Sequence, residues 1–105
     1  MSEAAANPHR GEAAIVAGGR SRVLRPSFSA LAAAEDELGS LFALVERAGE
    51  GRLLLSEIVA LFWHCCADRG DLTRAELGEA MTGMGLSACA VPLRMLLVQI
   101  LQGRR

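Results

Sequence analysis

His64-Cys65-Cys66 is the one run in this sequence where ligand-type and nucleophilic side chains stand together. Thiolates and an imidazole suit zinc, and a thiol beside a basic ring is the start of a nucleophilic site. The spacing argues against both chemistries. Adjacent residues on a helix point about 100° apart, so three in a row cannot close on one ion. Helical neighbours also seldom face each other, and no third group is placed to orient a base. Cys89 and His9, the remaining soft donors, stand at no recognisable spacing. Cys65 and Cys66 are therefore expected to be small core residues, and His64 an interhelix or surface histidine.

Three further stretches invite chemistry. DLTRAELGEAMTGMG, residues 71–85, is similar to a helix of the EF-hand calcium proteins, but its loop is missing. A window begun at Asp68 or Asp71 has no alternating oxygen ligands and no glycine at the sixth place. Gly18-Gly19 followed by Arg20, Arg22 and Arg25 suggests a phosphate cradle. Such a cradle needs amides at a helix N-terminus, and here the glycines lead into a strand. No aromatics interleave the arginines, so a single-strand nucleic-acid platform is not expected either. These arginines read as a solvated strand edge that resists aggregation, and Glu35-Asp36-Glu37 as a solvated helix face. No catalytic, metal or cofactor set emerges, and an enzyme is not expected.

Composition narrows the classes further. The 105 residues carry a net charge of −1, which gives no general field for nucleic acid or an anionic membrane. No apolar run reaches the length of about 18 residues that spans a bilayer. MSEAAANPHR has neither the apolar core nor the cleavage pattern of a secretory signal. Three cysteines make an odd count without framework spacing, which fits a reduced, cytoplasmic setting. Hydrophobic residues make up 51% and aromatics only 4%, so the core must come from Ala, Leu, Val and Met. Those residues favour close-packed helices over a β-sandwich.

The elements follow from periodicity and caps. Residues 1–10 are small and polar and are expected to be a disordered tail, with one domain over 11–103. Glu12–Ala17 and Arg20–Arg25 flank Gly18-Gly19, the signature of a two-residue hairpin. That register pairs Ala17 with Arg20, Ile15 with Arg22 and Ala13 with Leu24; neither face is cleanly apolar. Five helices are then predicted, making an α+β chain. The first is Phe28–Leu38, capped by Ser27, with Phe28, Leu31, Ala34 and Leu38 inward. The second is about Leu41–Ala48, capped by Ser40. The third runs from Ser56 to about Asp68, apolar on more than one side and so central. The fourth opens on the capping box Thr73-Arg74-Ala75-Glu76, with Leu77, Ala80, Met81 and Met84 inward. The fifth runs to about Gln102, with Pro92 in its first turn and Leu93, Leu96, Leu97, Ile100 and Leu101 as its stripe.

This inventory leaves apolar surface that five short helices have difficulty hiding, notably Met95, Val98 and Leu53-Leu54-Leu55. A lone hairpin is marginal in water, so it must pack on the helices or join another chain. Ile15, Val16, Val23 and Leu24 of the hairpin, with Met95 and Val98, are the expected partner-binding residues.

Taken together, the segments NPHRGEAAIVAGGRSRVLRPSFSALAAAEDELG, SLFALVERAGEGR and LTRAELGEAMTGMGL, then an apolar helix before Gly103, carry a resemblance over about residues 7–103. They resemble the gene transfer agent family of small phage-tail proteins, from the tail gene cluster of phage-like particles of alphaproteobacteria. The resemblance implies a non-enzymatic part in building the tail and transfers no catalytic residue. It implies a tail assembly chaperone or adaptor whose partners are the tape-measure and tail-tube proteins, and a homo-oligomer is a further expectation. The alternatives are a tail-tube component retained in the particle, which would move the site of action to the virion tail, and a small helical regulatory or ligand-binding module. A pocket shared by His64, Cys65 and Cys89 would favour the last.

Overall fold

The computed structural model describes residues 12–103, so the expected tail at 1–10 lies outside the described residues. In chain order the elements are strands β1 (Ala13–Ala17) and β2 (Arg20–Leu24), then helices α1 (Phe28–Leu38), α2 (Leu41–Gly49), α3 (Leu55–Cys65), α4 (Arg74–Met84) and α5 (Leu86–Gln102). The class is α+β: five helices and one antiparallel hairpin.

Gly18 and Gly19 both take positive φ, +62° and +82°, which the tight turn demands and which side chains resist. The pairing is the one the turn predicts, Ala17 with Arg20, Ile15 with Arg22 and Ala13 with Leu24. Which face packs is decided at long range. Ala13, Ile15, Ala17, Arg22 and Leu24 turn inward, while Ala14 and Val16 face out. β1 lies against α4 and α5.

The outer edge of β2 is not left open. Val23 O accepts a hydrogen bond from Ala67 N at 2.9 Å, and Arg25 N donates to Cys65 O at 2.7 Å. Leu24 and Cys66 form an antiparallel bridge. This pairing corrects the predicted end of α3. The helix stops at Cys65 instead of continuing to Asp68, because the backbone of 66–67 is drawn out as a fragment of strand beside β2. The start also shifts, to Leu55. Glu57 Oε1 accepts from Leu54 N at 2.8 Å, forming half of a capping box in place of a serine cap.

The other caps are as the sequence predicts. Ser27 and Ser40 accept from the amides of Ala30 and Ala43. Thr73 and Glu76 exchange hydrogen bonds at 3.1 and 2.8 Å. α5 differs: it begins directly after Gly85, so Pro92 sits inside the helix and not in its first turn. Proline cannot donate back to the Ala88 carbonyl. Ala88 is exposed, so water can take that bond.

α3 is central. Ala60, Leu61, Phe62 and Cys65 are fully buried, and α3 packs on α1 and α4. The hairpin contributes Ile15 and Leu24 to the same core. Burying a side chain of that size is worth about 1.5–3 kcal/mol, so the ribbon is structural and not an appendage. Three predicted stripe ends fail. Phe28 is 88% exposed, since a side chain at the first helical position leans toward the N-terminus, past the contact with α3. Met84 and Leu101, at helix C-termini, are also exposed.

Candidate partner-binding site

α2 is the least embedded helix: its main helix contact is with α1. Its inner face and one stripe of α5 leave an open trough between them. Val45, Ala48 and Gly49 form one wall and Leu86, Ala90, Leu93 and Leu97 the other, over a floor of Leu53, Ile58 and Cys89. This part holds about 460 Å³. A second, smaller recess of about 170 Å³ adjoins it at Val45, between Phe42 of α2, Leu31 and Glu35 of α1, and Ile100 and Leu101 of α5. Val45 lines both. The stripe on α5 advances by three or four residues throughout, the spacing with which one helix meets another.

The rim carries the charge. Arg94 lines the trough and is exposed. Among the described arginines it alone has no partner. Arg20, Arg25, Arg47, Arg52 and Arg74 hold carboxylates, Arg22 holds carbonyls and Arg69 stacks on Trp63.

Of the residues expected from sequence to meet a partner, Ile15, Val23 and Leu24 are 3% exposed or less. Ile15 and Leu24 are committed to this chain's own core, so they have little surface for another. Val16 and Val98 are exposed, at 65% and 47%, and Met95 is half-buried against the core. The trough residues Phe42, Val45, Ala90 and Arg94 escape the sequence reading. The available signal was small residues at facing positions, Ala48, Gly49 and Ala90, where side chains too short to meet leave a channel.

Of the hairpin arginines, Arg20 and Arg25 are exposed, as expected of a strand edge, whereas Arg22 departs from that expectation. Arg22 is buried: its Nε donates to Ala17 O at 2.8 Å and its Nη1 to Asp68 O and Arg69 O at 3.0 and 3.2 Å. A guanidinium offers five donors in one plane, enough to gather carbonyls from the turn and from the α3–α4 loop. Arg20 reaches Asp68 Oδ2 at 2.9 Å, and Arg25 pairs with the buried Glu12. Together they rivet the hairpin to the loop after α3.

A second polar cluster joins helices. Glu37 of α1 accepts from Arg74 of α4 at 2.7 and 3.0 Å, and lies 2.8 Å from His64 Nε2 on α3. The Arg74 guanidinium, and then His64, hold the Glu37 carboxyl down at about 2. Arg69 stacks over the Trp63 ring at 4.4 Å, with Arg74 at 5.9 Å. His64 is thus an interhelix residue. The thiols are buried; burial pushes Cys65 up to about 12 and raises Cys66 and Cys89, the reverse of what a nucleophile needs. Among the described residues no three His, Cys, Asp or Glu side chains gather as a metal set. His64 and Cys65 line one cavity and Cys89 another, so the shared pocket of the ligand-binding alternative is not assembled. No single helix among the described residues is long and apolar enough to cross a membrane; α4 and α5 reach that length only jointly, bent by 116°.

The fold is a small helical body closed by a hairpin, with an apolar trough open between α2 and α5. The chain belongs to the family described as phage tail tube protein, GTA-gp10, which matches residues 10–103. That membership gives it a structural or assembly role in a phage-type tail, in a family of structural tail proteins and not of enzymes. Neither the curated proteins nor the solved structures offer a match to the chain.

Proposed function

We propose that this protein serves tail construction as an assembly chaperone or adaptor, holding an apolar segment of the tape-measure protein and engaging tail-tube subunits. The observation that carries the reading is the open trough between α2 and α5, bordered by Phe42, Leu86 and Leu101 at 77%, 57% and 54% exposure. Apolar surface of that kind, rimmed by polar groups, marks protein interaction sites. The strand count supports the same reading. A tube wall is a continuous β-ring, and the described residues offer two strands, one of them stitched to the chain's own loop. The hairpin keeps Ala14 and Val16 outward as its remaining contact surface for a tube subunit or a second copy.

A second reading, a subunit retained in the tube, is favoured by the family's own description. Quantitative mass spectrometry of purified particles separates the two. A chaperone is absent or scarce in particles and co-purifies with the tape-measure protein from producing cells. Stoichiometric copies in finished particles would replace the proposal with the second reading.

A further inference from the structure

The trough has a shape and a charge that together define what fits it. Its α5 wall runs from Leu86 to Leu101, about 22 Å at 1.5 Å per residue, a length matched by on the order of 15 residues of helix. The wall is a ladder of aliphatic side chains at helical spacing that lines two adjoining recesses, with Val45 of α2 shared by both and the acidic Glu35 of α1 in the smaller. A third helix laid there would complete a packing layer that α2 and α5 leave unfinished. Arg94 stands at the rim without a partner, where every other described arginine is engaged. An unpaired guanidinium beside an apolar channel is complementary to a carboxylate flanking an apolar stripe.

We infer that the α2–α5 trough binds one amphipathic helix of a partner protein, with aliphatic residues at i, i+3, i+4 and i+7 in the channel and an Asp or Glu of that helix on Arg94. This rests on the assembly reading and names the ligand chemistry of the same site. The aliphatic ladder supplies affinity, and Arg94 fixes direction and register, as charges at the rim of a groove do.

The test is an array of overlapping 20-residue peptides covering the tail proteins encoded beside this one, probed with the intact protein. The array is run alongside co-purification of the same full-length proteins. The expected result is a small set of bound peptides, each with the aliphatic spacing and an acidic residue on the flank. Arg94→Glu should weaken them roughly tenfold while leaving the helical circular dichroism unchanged, and changing the peptide's acid to Lys should restore binding to that variant. Binding should also weaken with salt. Bound peptides without an acid, an unchanged profile with Arg94→Glu, or no bound peptide while full-length partners still co-purify would each overturn the inference and spare the assembly role. Loss of all co-purification would instead remove the assembly reading. Two other occupants are checked directly. Displacement of bound peptide by dodecanoate at equal concentration, or a dimer in sedimentation abolished by Leu86→Glu, would assign the trough to an amphiphile or to a second copy, and either result refutes the partner helix.

Discussion

Replacing Arg22 by methionine removes the rivet while keeping most of the apolar stem. Three main-chain acceptors, Ala17 O, Asp68 O and Arg69 O, lose a charged donor. Hydrogen bonds to a charged group are worth about 1.5–3 kcal/mol each, but burying the guanidinium cancels much of that sum. A carbonyl left unpaired in a partly buried loop can recover a water, which trims the loss again. The net expectation is about 3 kcal/mol, a large share of the roughly 5–15 kcal/mol that holds a domain together. For a chain this size that lowers the melting temperature by about 15 °C. Arg22→Lys should recover less than half, because one ammonium cannot serve three acceptors set around a planar fork. The neighbouring Arg20→Ala is the control: its bridge to Asp68 is about half exposed, so its removal should cost no more than about 1 kcal/mol. Melting followed by circular dichroism and by the fluorescence of the single tryptophan, Trp63, gives the comparison. A shift under about 4 °C for Arg22→Met, or equal shifts for Arg20 and Arg22, would refute the reasoning.

Three other perturbations follow from the same geometry. Glu37 titrates at about 2 in the folded chain against an ordinary 4.5, so its contribution is complete above about pH 4.5 and is lost as pH falls toward 2. Glu37→Gln should therefore flatten acid melting curves in that window, and a slope identical to wild type would count against the bridge. Gly18→Ala should cost about 2 kcal/mol and Gly19→Ala about 1, because only the first adds a clash to the positive φ. Its Cβ would stand 2.7 Å from Arg22 Nη2, so the difference should shrink in an Arg22→Met background. The buried thiols should be silent to a disulfide reagent at pH 8 until denaturant is added; rapid modification of the native chain would contradict their burial.

Local signals were legible in the sequence because the residues that carry them act locally. Gly18-Gly19 dictates the turn and hence the register, and Ser27, Ser40 and Thr73 each satisfy amides within three residues. What escaped depends on distant partners. Arg22 reads as a surface charge until the Asp68 and Arg69 carbonyls arrive from the far end of α3. Cys66 reads as the next turn of a helix until the edge of β2 claims its backbone. The surplus of apolar residues was visible from composition, but its address was not. The hairpin candidates Ile15 and Leu24 went into the core, while the open surface lies along α2 and α5.

The bridge between Leu24 and Cys66 also sets an order of events during synthesis. The ribbon is made before the helices, and the strand fragment that closes its edge follows about 40 residues later, some 2–8 s at 5–20 residues per second. For that interval α4 and α5, the helices that β1 packs against, are not yet made. A nascent chain stalled before Cys65 should hold an unsealed sheet, open to whatever strand or holding factor comes by.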